Sequence, residues 1–174
     1  MRSEFTFHVN MYLALVLGLI LILIDYHRKI NADRILRRLL TLVIAFSLGT
    51  MLSDLIYDIA AGRPGEVARM IMLIANAIYF TSQIMAFGTM ALFLDFCMRS
   101  DTKRLKKLSV IIGIVCAVNL LLVTIAILTG HIFTVMPGGY YARSDGFHLL
   151  PFLSYLIILI ILADAYLCRR QINA

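Results

Sequence analysis

The stretch LSVIIGIVCAVNLLLVTIAIL, Leu108 to Leu128, decides the fold of this chain: 21 residues without a charge, entered from the basic run KRLKK, Lys103 to Lys107. An α-helix rises about 1.5 Å per residue, so a run of this length covers the roughly 30 Å of hydrocarbon in a bilayer. Buried in lipid, each backbone N–H and C=O must find a partner inside the protein, which leaves helices and closed barrels as the only spanning forms. The run shows no two-residue alternation, so it reads as a helix.

Four further runs have the same character, Phe5 to Tyr26, Leu39 to Ala60, Met70 to Cys97 and Phe147 to Cys168. The expected fold class is therefore all-α, an integral membrane bundle of about five transmembrane helices, with residues 1–174 forming a single domain. Composition agrees. Of 174 residues, 61% are hydrophobic and 15% charged, with a mean hydropathy of +0.91; soluble domains have about 45–50% apolar and about 25% charged residues. A water-soluble globule of this size would expose much of its apolar surface. The first run follows a single basic residue, Arg2, with no small-residue cleavage site after it, so it reads as a retained helix rather than a signal peptide. Cys97, Cys116 and Cys168 form no CxxC pair, and neither a disulfide framework nor a zinc site is expected.

The connections assign sidedness. Arg28, Lys29, Arg34, Arg37 and Arg38 precede the second run, Arg99, Lys103, Arg104, Lys106 and Lys107 precede the fourth, and Arg169 and Arg170 follow the last. These are twelve of the sixteen basic residues, against Arg2, Arg63, Arg69 and Arg143 on the other side. Lysine and arginine collect on the cytoplasmic side of short loops, so the amino terminus is expected outside and the carboxyl terminus in the cytoplasm. The formal charge of +6 is explained by topology and anionic lipid, without nucleic acid as a partner.

Ionisable groups inside spans are costly and should face the bundle interior or water. Asp54 and Asp58, four residues apart, share one helical face that Ser47 and Thr50 extend inward. The next run travels the opposite way, so Asn76 reaches a depth similar to Asp54, and Tyr79 and Gln83 continue its stripe. Two readings follow: hydrogen bonds that fix helix register, or an outward cleft for a small ligand, with Arg63 and Arg69 at its rim pairing with Asp58 or receiving an anion. Asp25, Asp95 and Asp164 lie near basic residues such as Arg28, Arg99 and Arg169, and read as snorkelling ion pairs. Asn119 reads as an interhelical hydrogen bond. His8, His131 and His148 lie towards the outside without metal-ligand spacing. The connection TGHIFTVMPGGYYARSD is long for a bundle, and its Pro137, Gly138, Gly139, Tyr140 and Tyr141 suit a turn or re-entrant loop with tyrosines at the headgroups. No HExxH, GxSxG or phosphate-binding loop occurs, so no catalytic activity, metal or cofactor is expected in these residues.

Three stretches, DYHRKINADRILRRLL with SLGTMLSDLIYDI, IANAIYFTSQIMAFGTMALFLDF, and TGHIFTVMPGGYYARSDGFHLLPFLSYLIIL, resemble the amino-terminal multi-helix sensor regions of bacterial signalling proteins that precede GGDEF diguanylate cyclase or histidine-kinase domains. The third is similar in its Thr129, Gly130, Tyr141 and Arg143 pattern. The resemblance implies a membrane input module in the bacterial cytoplasmic membrane, acting with a dimeric cytoplasmic output domain in cis or in trans, and thus a homodimer. It also implies seven helices, whereas this sequence stops at CRRQINA after the fifth run. Its expected partners are the lipid bilayer and an unidentified small ligand. The alternative function is a small transporter or channel component, or a structural subunit of a membrane complex.

Overall fold

The structure is a computed structural model and describes residues 34–136 and 141–172. Within them the chain forms α1 (Arg34–Ala60), α2 (Glu66–Arg99), α3 (Thr102–Thr129), strands β1 (Phe133–Val135) and β2 (Tyr141–Arg143), a 3-10 turn (Asp145–His148) and α4 (Leu149–Ile172). The first expected span, Phe5 to Tyr26, lies outside the described residues.

By length and apolarity α1, α2 and α3 can each cross a membrane, while α4 is apolar over the shorter stretch Leu149–Ala163. Their outer faces carry Leu52, Ile74, Val110, Ile114, Leu121 and Leu159, all more than half exposed. A surface of that kind belongs in lipid, not water. The first three helices start ahead of the apolar runs that predicted them, α1 at Arg34 rather than Leu39 and α3 at Thr102 rather than Leu108. Hydropathy marks where hydrocarbon begins, whereas arginine and lysine are good helix formers that carry the helix onward into the headgroups. At 34 residues α2 is about 51 Å long. That exceeds the hydrocarbon, so the helix tilts or reaches beyond it.

The elbow between α2 and α3 takes two residues. Ser100 closes α2 in the left-handed region, φ 51°, and its N–H donates to the Phe96 carbonyl. Asp101 then caps α3, its carboxylate accepting from the Lys103 N–H at 2.8 Å and the Arg104 N–H at 3.3 Å.

Helix α2 is central, packing on α1, α3 and α4. Two glycines set the register. A Cβ added at Gly49 of α1 would lie 2.9 Å from the Ser82 hydroxyl of α2, and one at Gly88 of α2 would lie 2.6 Å from an Ile112 methyl of α3. Only glycine permits these approaches. The core near the elbow draws on all four helices, with Leu39, Ile84, Leu92, Phe96, Ile112 and Ile157 buried together.

At the opposite end β1 and β2 pair antiparallel, Phe133 with Arg143, Thr134 with Ala142 and Val135 with Tyr141. The all-α expectation therefore holds for the four described helices and is corrected at this connection. The alternation that makes a strand is short and local: Phe133 and Val135 point inward and are buried, with Thr134 between them less so. Phe133 packs with Val123, Ala126 and Leu150, and Val135 with Ala60 and Met72. The connection is thus a plug across the hairpin end of the bundle.

Candidate functional site

The site is assembled where α1 and α2 run antiparallel beneath the hairpin. Counting outward from the Gly49–Ser82 approach, Asp54 comes level with Ala77 and its neighbour Asn76. Asp54, Asp58, Asn76, Tyr79 and Gln83 are all partly buried. The Asp54 carboxylate lies within electrostatic range of the Tyr57 and Tyr79 phenols, and Asp58 of Tyr57. Asp54 and Tyr79 sit on different helices, so the Asp54 charge is felt across the α1–α2 contact.

Several polar groups turn back on their own helix. Asn76 Nδ2 donates to the Met72 carbonyl at 3.0 Å, the Thr50 hydroxyl to Phe46 at 3.0 Å and the Ser53 hydroxyl to Gly49 at 2.8 Å. Such bonds satisfy a donor in lipid without joining two helices. The Asn76 amide oxygen and the partly buried Gln83 amide remain as hydrogen-bonding groups along the stripe. An interhelical bond of the expected kind is made by Asn119, 1% exposed, whose Nδ2 donates to the Phe80 carbonyl at 3.3 Å.

The expected pairing of the rim arginines with Asp58 is replaced. Arg69 Nε donates to the Val135 carbonyl at 2.9 Å, and its guanidinium stands 3.4 Å from Glu66. A planar fork with five donors can hold a strand carbonyl and a carboxylate together, which a lysine would do less well. Arg69 thereby latches β1 to α2. Arg63 lies exposed on a separate surface groove of about 420 Å³, lined by Ile56, Ile59, Pro64, Val67 and Ile71. Tyr141 and Arg143 belong to β2, paired with Val135 and Phe133, so the backbone brings them to the same end as Arg69 and the top of α1. His131 is exposed beside the hairpin and His148 is exposed at the entry to α4. His8 and Asp25 lie outside the described residues, as does the Asp164 side chain.

Why the chain turns as it does after α3 is local. Gly130 closes the helix in the left-handed region, φ 69°, its N–H donating to Ala126. The Thr129 hydroxyl donates to Ile125 and accepts from the His131 N–H, while the Ser144 hydroxyl donates to the Gly130 carbonyl. Threonine and glycine at 129 and 130 are thus a helix stop and a clasp for the hairpin.

At the elbow end Asp95 keeps the ion pair expected with Arg99 and gains a shorter one with Arg104. It is 2% exposed, and its Oδ1 accepts from Arg104 Nε at 2.8 Å, with Arg99 Nε farther off at 3.8 Å. Its principal partner is on the next helix, so the pair bridges the elbow. The spacing from Asp95 to Arg104 across a two-residue turn was the available signal, since antiparallel helices leaving such a turn bring these positions level.

Among the described residues no group of three or more metal-ligating side chains gathers. Cys97 and Cys116 are free thiols. No protein-family model matches the chain, and neither a curated protein nor a solved structure matches it.

Proposed function

We propose that this chain is a sensory input module, spanning the bacterial cytoplasmic membrane five times with its amino terminus outside and its carboxyl terminus in the cytoplasm. The observation that carries the reading is that Asp54 of α1, level with Asn76 of α2 and within electrostatic range of Tyr79, lies beneath a hairpin latched by Arg69 to Val135. An ionisable side chain within a membrane span is costly and marks a functional site by default. Here Asp54 lies near the polar stripe of a second helix, at the end to which the backbone of β2 brings Tyr141 and Arg143.

The ligand site comprises Asp54, Asp58, Asn76 and Gln83 with Tyr141 and Arg143. Arg69 serves it indirectly by holding the hairpin, and Arg63, on its separate groove, takes no part in it. Ligand binding biases two packings of α1 against α2, and the shift is read at the elbow end by an output domain in cis or in trans. The orientation draws support from the elbow end, which holds Arg34, Arg37, Arg38, Arg99, Lys103, Arg104, Lys106 and Lys107.

The test measures signalling from the native or a grafted output domain in Asp54→Asn and Arg143→Ala variants at matched membrane levels. Loss of response in either, with expression unchanged, is the expected result. Unchanged signalling in both overturns the cleft. Substrate flux in reconstituted vesicles that Asp54→Asn abolishes would replace the sensor with a transporter.

A further inference from the structure

We propose that the elbow end is a binding surface for anionic phospholipid, in which the exposed basic side chains at the starts of α1 and α3 meet headgroup phosphates. Helix α1 opens with Arg34, Arg37 and Arg38, and α3 with Lys103, Lys106 and Lys107; neither has an acidic residue in its first turn. Six exposed cations on two helices at one end of the bundle form a positive surface that an anionic partner complements.

The nearby described acids do not supply it. Asp95 is buried and committed to Arg104, and Asp101 accepts backbone N–H groups of α3. All six cations are exposed, and among the described residues none of them forms an ion pair. They also form a tier. Counting back from Gly49 opposite Ser82 brings Arg37 level with Leu94 of α2, and counting from Asp95 opposite Arg104 brings Lys106 level with Phe93.

Lipid, rather than free phosphate, fits what lies next to the tier. Leu42 on α1 and Val110, Ile111 and Ile114 on α3 are exposed apolar side chains on the same helices, within a turn or two of the cations. A phosphate held by the tier places acyl chains against these residues. The inference stands on charge and exposure alone and is independent of the sensor reading.

The experiment uses the full chain in neutral-detergent micelles, with phosphatidylglycerol or phosphatidylcholine added and bound lipid counted by native mass spectrometry. Phosphatidylglycerol should be retained at least about fivefold over phosphatidylcholine, since each cation near an anionic surface contributes appreciably. R37Q/R38Q and K106Q/K107Q should each reduce that preference, and the four changes together should bring it to within about twofold. The charge-keeping R37K/R38K/K106R/K107R should retain it, which separates lost charge from lost fold. Equal retention of the two lipids by the unaltered chain overturns the proposal, as does a preference that survives all four glutamines. Displacement of the lipid by millimolar inorganic phosphate would show a free-phosphate site instead.

Discussion

The two ends of this bundle are held in different ways. At the hairpin end, polar side chains of α1 and α2 bond mostly to their own helices, and closure comes from apolar groups: Phe133, fully buried, lies 5.7 Å from the Phe80 ring. At the elbow end an ion pair, Asp95 against Arg104, is added to the apolar core, with a tier of exposed cations outside it. The contrast teaches where each force is effective. A carboxylate kept from water must have a partner, so the elbow is specified by charge. A short two-stranded ribbon has little stability alone, so the hairpin depends on the side chains it buries.

The largest effect should come from emptying the hairpin. Phe133→Ala is expected to cost about 3–4 kcal/mol of stability, as removal of a buried aromatic does, measured by unfolding in denaturing detergent. A loss below about 1 kcal/mol would break the comparison, because the hairpin would then not be held by packing. Next comes the elbow. Arg104→Leu should cost about 2–3 kcal/mol and Asp95→Leu clearly less, because the Arg104 side chain is 39% exposed and can reach water whereas Asp95 at 2% cannot. The reverse order in the same assay would remove the carboxylate as the group that needs its partner.

Smaller effects sharpen the contrast. Arg69→Ala should cost about 1 kcal/mol, the worth of a hydrogen bond or two, and should speed amide hydrogen exchange in β1 and β2 while leaving the elbow unchanged. Equal exchange rates in the two proteins would dispose of the latch. The smallest change is a gain. Ser100 holds φ at 51°, a conformation that suits glycine, and Ser100→Gly should stabilise the protein by about 0.5 kcal/mol after glycine's own entropy is counted. A lower melting temperature would mean that the serine is more than a turn residue.

Much of the fold was legible because lipid imposes a simple code. Three of the five expected runs fall within observed helices and a fourth, Phe147 to Cys168, overlaps α4 from Leu149 on; the early starts of α1 and α3 follow from basic residues that are helical without being apolar. Part of the site was legible too, since counting residues along antiparallel helices brings Asp54 to the level of Asn76. Direction was harder to read. Asn76 turns to Met72 and Arg69 to Val135, because a side chain takes the nearest unsatisfied acceptor and sequence does not rank acceptors on separate elements. The strands in TGHIFTVMPGGYYARSD escaped for a related reason. Three residues of alternation are too few to read as period two until another part of the chain buries one face.

By itself the sequence determined the solvent of this protein. Long apolar runs and the sorting of lysine and arginine make a helical membrane protein, because backbone polar groups in hydrocarbon must be paired within the helix. Only the tertiary structure decided which side chains meet. The approach of Gly49 to Ser82 and of Gly88 to Ile112 fixes the helix register. With that register go the nearness of the Asp54 charge to Tyr79, the bridge from Asp95 to Arg104, and the strand that Arg69 holds over the hairpin end. Such contacts depend on distances of a few ångströms between elements remote in the chain, and periodicity along one helix carries no information about them.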